Sequence, residues 1–341
     1  MSQINHQIRL AARPSGLPTA ANWQLTEEPV ATAGEGQIVV KVLYSSLDPA
    51  MRGWMNEGKS YIAPVGIGEV MRAGGAGRVI ESKNAKFTVG EFVAGMFGIQ
   101  EYAVSDGRGV TKVDTSVAPL PTYLGTLGMP GMTAYFGLLD IGKPKAGETV
   151  VVSGAAGAVG TVVGQIAKLK GCRVVGIAGG KDKCEWIVKE LGFDAAIDYK
   201  SEDVRKALKA AAPNGVDVYF DNVGGEILDI ALTQINKNAR IIICGAISQY
   251  NSTTGVKGPA NYLSLLVNRA SMTGMVVFDY ADRYAEAGRE MAGWLAESKL
   301  KSREHVAKGG VAAFPDTLLM LFRGENTGKL VLEVASSEPA A

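Results

Sequence analysis

Three glycines stand three residues apart in Ser153-Gly154-Ala155-Ala156-Gly157-Ala158-Val159-Gly160, directly after the apolar run Thr149–Val152. A chain omits side chains so regularly for one of two reasons. Either something approaches the backbone closely, or two elements pack tightly. A glycine turn between strand and helix favours the first, because a helix start offers unpaired N–H groups and the positive end of its dipole to an anion. The spacing Ala155-x-Gly157-x-x-Gly160, preceded by Gly154, departs from the dinucleotide fingerprint at its first glycine. The strand before, the helix after and a second strand at the right distance still point to a bound pyrophosphate.

Binders of a free ribose carry an acidic residue about twenty positions on, at the end of the second strand. Nineteen residues past Gly160 stands Gly179, in IAGGKDKCEW, and no carboxylate ends that strand. An acid would repel a 2′-phosphate, whereas a small residue followed by Lys181 and Lys183 admits and pairs one. Asp182 is a counter-signal, and both lysines could instead solvate a helix start. The balance favours NADP(H).

Little else in the chain offers chemistry. The two histidines, His6 and His305, lie far apart, and Cys172, Cys184 and Cys244 show no C-x-x-C spacing. A histidine-based triad, a disulfide framework and a zinc site are therefore not expected, and no metal is. The 341 residues suit two domains, with 47% apolar and 20% charged residues. A net charge of +1 and the lack of a basic run exclude nucleic acid and anionic membrane as partners. The start MSQINHQIRLAARPSG lacks the apolar core of a signal peptide, which leads to a cytoplasmic expectation.

The elements that must position the glycines are legible in outline. Residues 1 to about 120 read as β-rich, with strands in Gly36–Asp48, Gly75–Ser82 and Lys86–Asp106. From about Gly125 strands alternate with helices: strand Thr149–Ser153, helix Ala158–Leu169, strand Arg173–Ala178, helix Lys181–Leu191 and strand Ala195–Tyr199. Helix Ser201–Ala211, strand Val216–Asp221, helix Glu226–Asn236 and strand Arg240–Cys244 follow. That rhythm predicts a doubly wound parallel sheet covered on both faces. SMTGMVVFDY reads as another strand, Arg283–Ser298 as an amphipathic helix and Gly328–Val334 as a strand rejoining the first domain. Met129, Met132, Tyr135 and Phe136 fall at helical spacing and read as core, and the tail SSEPAA reads as unstructured.

From Leu43 to Val334 the chain resembles the zinc-independent medium-chain dehydrogenase/reductases of the prostaglandin reductase, alkenal double-bond reductase and bacterial curcumin reductase group. The likeness rests on GMPGMTAYFGLLDIGKPKAGETVVVSGAAGAVGTVVGQIAKLKG, DPAMRG (Asp48–Gly53), YFDNVGG (Tyr219–Gly225), ICGAISQYN (Ile243–Asn251) and GENTGKLV (Gly324–Val331). The resemblance implies an α/β protein: a Rossmann domain at 125–300, and a partly open, GroES-like β-barrel at 1–124 completed by 301–341. It implies a cleft site where NADPH reduces the carbon–carbon double bond of a small enone or enal, hydride going to the β-carbon and a proton to the α-carbon. Gly157, Ala158, Val159 and Gly160 would meet the pyrophosphate, and Lys183 and Tyr199 the 2′-phosphate end. Asn222 and Tyr250 would lie toward the nicotinamide, Val277 and Phe278 would hold its carboxamide, and Asn326 would reach it from the barrel domain. A homodimer joined through an edge strand such as Ser271–Val277 is also implied.

Tyr262, in PANYLSLL, is the candidate proton donor, because a phenol donates a proton and is neutral at physiological pH. It could equally be a wall residue. Where relatives often carry a tyrosine in DPAMRG this chain has Ala50, leaving Tyr44, Met51, Arg52 and Tyr61 as candidate pocket residues. Arg52 could attract an anion or tie the two domains together. GENTGK and DPAMRG favour the double-bond reductases over the quinone oxidoreductases of the same superfamily. A sensor that binds NADPH without turnover is the alternative of another class.

Overall fold

A computed structural model describes residues 3–335; Met1, Ser2 and the tail SSEPAA lie outside the described residues. Two compact units emerge, one built from the chain up to Leu124 and from Glu304 onward, the other from Gly125–Arg303.

The first unit opens with β1 (Ile4–Leu10) and β2 (Trp23–Pro29), an antiparallel pair. Then come β3 (Ile38–Ser46), α1 (Met51–Trp54), β4 (Gly74–Ser82), β5 (Phe92–Met96), β6 (Tyr102–Ser105) and β7 (Thr111–Lys112). The second unit contributes α2 (Met129–Phe136), β8 (Thr149–Ser153), α3 (Ala158–Leu169), β9 (Arg173–Ala178), α4 (Lys181–Lys189) and β10 (Ala195–Asp198). It continues through α5 (Val204–Ala211), β11 (Val216–Asp221), α6 (Gly225–Leu232), β12 (Ile235–Ile243), α7 (Leu263–Asn268), β13 (Ser271–Gly274) and α8 (Tyr284–Ala296). The chain then returns to the first unit as β14 (Glu304–Ala307), α9 (Phe314–Arg323) and β15 (Lys329–Glu333).

In the second unit six parallel strands run in the order β10-β9-β8-β11-β12-β13. The winding direction reverses between β8 and β11, which opens a crevice beyond their carboxyl ends. Alternate side chains explain the unbroken apolar runs. Val150 and Val152 of β8 pack with Val163, Ile166 and Phe220 on one face, while Val151 joins Val175, Tyr219 and Ile241 on the other. Met132, Tyr135 and Phe136 are buried in the first of these clusters, and Met129 packs against it.

The sheet of the first unit is mixed and partly open, ordered β14-β15-β3-β4-β5-β7 with β6 on β3. Its core gathers Ile38, Val40, Met51, Trp54, Phe97 and Phe314.

Two expected elements differ most. Helix α6 stops at Leu232, because Ile235 already pairs with Val216 and begins β12. Strand β13 ends at Gly274, whose ladder partner Ile243 is the last residue of β12. With no strand left to pair, Val277–Arg283 turns into a 3-10 helix, held by the Tyr284 hydroxyl donating to Val277 O at 2.9 Å.

Candidate active site

The glycine loop sits at the mouth of that crevice. Gly154 has φ +61°, a left-handed turn that a side chain would strain, so it fills the role the fingerprint's first glycine usually takes. Ala155 is tolerated beside it because Gly176 on β9 has no Cβ; one there would come within 2.9 Å of Ala155 Cβ. Gly157 caps α3 in extended backbone (φ −88°, ψ 178°) and offers no side chain to the N–H groups of the first turn. Ala158, Val159 and Gly160 make that turn, a site suited to an anion.

Gly160 has a different reason to be glycine. A Cβ there would lie 2.4 Å from Gly154 O and 2.7 Å from Ala155 Cα. Tight packing of α3 on the loop by itself requires glycine at this position. Gly160→Ala is expected to cost about 1–3 kcal/mol of stability by overpacking. The collision is with backbone, so thermal unfolding should show the loss both with and without NADPH.

At the next strand end the two lysines separate. Lys181 is exposed and pairs with Glu185 at 3.6 Å. Lys183 is half-buried, and burial, then the nearby Lys200 ammonium, lowers its pKa. The Tyr199 ring occupies the space over Gly179, where a Cβ would meet its hydroxyl at 2.8 Å. Asp198 is the carboxylate next to Tyr199, and it is engaged by the backbone. It accepts from Gly180 N–H at 2.7 Å, Lys200 N–H at 3.0 Å and Ser201 Oγ at 2.8 Å, and these bonds, Gly180's foremost, hold its pKa down. Two ammonium groups thus share one neighbourhood. Lys200 has no signal in the sequence beyond its place after Tyr199.

Asn222 follows β11 and donates its side-chain amide to Ser153 O at 2.7 Å. The Tyr250 hydroxyl accepts from Ala246 N–H at 3.1 Å and lies where a Gly245 Cβ would be, 2.7 Å away. These two residues therefore stand with the glycine loop at the ends of β8, β11 and β12. Val277 is buried with its carbonyl taken by Tyr284, and Phe278 is partly exposed. Tyr262 immediately precedes α7, its side chain 57% exposed.

The other candidates belong to the first unit, and two are corrected. Met51 is 0% exposed, packed in the core of that unit and closed to any pocket. Arg52 is 4% exposed; it donates to Gly16 O at 2.9 Å, Pro14 O at 3.1 Å and Asn56 Oδ1. Its bonds fasten a loop of the first unit. Tyr44 is half-buried, its phenol pushed up by burial and then by Glu333. Tyr61 is exposed and accepts from Trp54 Nε1 at 3.1 Å. Asn326 is buried and donates to Gly328 O at 2.9 Å.

One link between motifs has no sequence signal. Lys329 of GENTGK is buried and donates 2.7 Å bonds to Leu47 O and Asp48 Oδ1 of DPAMRG. Ser46 also donates to Asp48, so the two motifs form one corner of the first unit. Among the described residues, no three His, Cys, Asp or Glu side chains stand where they could share a metal ion.

Residues 6–113 match the N-terminal domain of oxidoreductases and residues 158–293 the zinc-binding dehydrogenase family. The chain is 44% identical to the NADPH-dependent curcumin reductase of Escherichia coli (98% of this chain, 99% of that one). It is 42% identical to prostaglandin reductase 1 of Bos taurus (93% and 95%). The solved structure of CurA from Vibrio vulnificus in complex with NADPH superposes with a TM-score of 0.92 at 46% identity, covering 97% of this chain and 99% of that one. The chain therefore belongs to the zinc-independent medium-chain dehydrogenase/reductases, in the group of the curcumin, prostaglandin and alkenal reductases.

Proposed function

We infer that this protein is an NADPH-dependent reductase of the carbon–carbon double bond of α,β-unsaturated ketones and aldehydes. The observation that carries this reading is likeness along nearly the whole chain to reductases of that type, at 42–46% identity. The donor set fits NADPH. A helix start without a side-chain cap suits the pyrophosphate, and Lys183 with Lys200 suits a 2′-phosphate. In this reading Gly157, Ala158 and Val159 take the pyrophosphate, Tyr199 flanks the adenosine, and Asn222 and Tyr250 line the path toward the nicotinamide. The second unit is the NADP-binding domain, and the first, with Asn326, Tyr44 and Tyr61, is the catalytic domain.

Bound NADPH supplies the hydride that adds to the β-carbon. The chain's own task is then to stabilise the negative charge on the substrate oxygen and deliver a proton to the α-carbon. Tyr262 is the proposed donor. The test is to mix protein, NADPH and a panel of enones, enals and quinones, follow nicotinamide absorbance, repeat with NADH, and identify products by mass. Saturated ketones and aldehydes, formed with NADPH preferred, are expected. Quinols alone would move the protein to the quinone oxidoreductases, and tight NADPH binding without turnover would make it a sensor.

The cytoplasm is the proposed location, consistent with three free cysteines. Among the described residues, no helix is long and apolar enough to cross a membrane. We also propose a homodimer. Strand β13 is exposed along its length and is the last in its sheet order, and α7, which precedes it in the chain, exposes Leu263, Val267 and Leu266, the last at 74%. An open sheet edge is a template for pairing with a second copy. Met272→Lys combined with Leu266→Glu should halve the mass seen by sedimentation velocity while leaving the far-UV spectrum unchanged. A wild-type protein that sediments as a monomer would remove the proposal.

A further inference from the structure

The ends of β8, β11 and β12 meet at one residue that the chemistry above leaves without a role. Asp221 closes β11 and is 1% exposed. Its Oδ1 accepts from Ser153 Oγ at 2.9 Å, the Tyr219 hydroxyl at 3.1 Å, Val223 N–H at 3.1 Å and Gly224 N–H at 2.9 Å. Oδ2 has no hydrogen-bond partner among the described residues. The backbone carbonyl of Asp221 accepts from Cys244 N–H at 2.9 Å and Gly245 N–H at 3.1 Å. Ser153 passes the connection on, accepting Asn222 N–H at its Oγ, 3.0 Å away, and the Asn222 amide at its carbonyl.

Every donor to this carboxylate is neutral. Burial pushes its pKa up, and the bonds from Gly224, Ser153 and Val223 oppose that. Such a group is costly to bury, so its presence calls for a specific task. The partners indicate the task. Gly154 lies 3.3 Å from Asn222 Cβ if given a Cβ, and Gly245 sits against both Asn222 O and the Tyr250 hydroxyl. One buried oxygen thus joins Ser153, which leads into the glycine turn, to the Asn222–Gly224 turn, while the backbone carbonyl of the same residue holds Cys244 and Gly245.

We propose that Asp221 is a positioning residue for NADPH. Its carboxylate holds the ends of β8 and β11 in the register that receives the cofactor and acts through Asn222 and the Gly154 turn. The inference rests on reading this crevice as the NADPH pocket. Its sign is distinctive. A carboxylate near a polyanionic cofactor repels it, so removing only the charge would tighten binding. Removing the acceptor that aligns the loops should weaken it instead.

The test is the NADPH dissociation constant of the purified wild type, Asp221→Ala and Asp221→Asn, read by nicotinamide fluorescence, with thermal unfolding of each protein alone. Asp221→Ala is expected to raise the constant about 10-fold or more, the scale of a lost hydrogen bond to a charged group. Asp221→Asn keeps the Oδ1 acceptor and should restore it to within about 3-fold of wild type. NADH binding should weaken by the same factor, because the 2′-phosphate is not involved. Where Asp221→Ala does not fold, Ser153→Ala carries the same expectation, since it cuts the link to Asn222. Binding by Asp221→Asn more than about 3-fold tighter than wild type would overturn the proposal in favour of simple charge repulsion. A lowered unfolding temperature with an unchanged constant in Asp221→Ala would also overturn it, leaving a purely structural role. No NADPH binding by the wild type would overturn the reading of the pocket, and the inference with it.

Discussion

Lys183→Ala is expected to reduce kcat/KM for NADPH by about 10- to 100-fold while leaving that for NADH nearly unchanged, the scale of one charge-assisted hydrogen bond. The structure supplies the asymmetry. Lys183 is half-buried, and both its burial and the Lys200 ammonium disfavour its charge in the protein alone. A dianionic phosphate would reverse both effects by neutralising the pair. Lys181 does not compensate, since it reaches toward Glu185 on the outside of α4. Lys200→Ala should produce a smaller loss of the same kind. The measurement is steady-state kinetics with both cofactors at one ionic strength, because surface charge effects are screened by salt. Equal losses with NADH would show that Lys183 supports the fold of the strand end and does not read the phosphate.

Local signals made much of the cofactor domain legible. The bounds of β8, α3, β9 and β11 coincide with the expected ones because apolar runs, glycines and caps lie next to one another in the chain. Tertiary context decided the rest. Nothing in INKN shows that Ile235 leaves α6 for the sheet; the pairing with Val216 does that. The hairpin β1–β2 was obscured by the twelve residues between its strands, which contain two prolines and a glycine. Helix α9 did carry signals, a proline in its first turn and Gly324 at its C-cap with φ +66°, and it could have been found.

The candidate site divides in the same way. Residue type and spacing pointed to the glycine loop, yet the division of labour between Gly154 and Gly160 depends on a close approach of backbone atoms. Met51 and Arg52 look like pocket residues in DPAMRG, and only burial shows that one is core and the other a fastener for residues 14–16. The Asp48–Lys329 pair spans 281 positions, which no local pattern can reveal.

Tyr262→Phe is expected to lower kcat by about 100-fold or more, the lower range for general acid catalysis, with little change in stability. The side chain is 57% exposed and no hydrogen bond to its hydroxyl is found among the described residues, so removing the oxygen breaks no internal contact. Its backbone, by contrast, is well fixed. Asn261 donates from its N–H to Asp229 Oδ1 at 3.0 Å and from its side chain to Asp229 O at 3.2 Å, and Tyr262 O accepts from Leu265 N–H at 3.0 Å. An anchored backbone carrying an unengaged phenol suits a group that must meet a substrate. A wall tyrosine would behave differently, because Phe preserves the ring and its apolar contact, leaving kcat within a few-fold of wild type and shifting KM alone. Pre-steady-state mixing sharpens the comparison by separating NADPH oxidation from appearance of the saturated product. A donor role requires product formation to slow at least as much as hydride transfer, with NADPH affinity unchanged. Should both steps run at wild-type speed in Tyr262→Phe, the α-carbon takes its proton from another source, and Tyr44 and Tyr61 become the next positions to substitute.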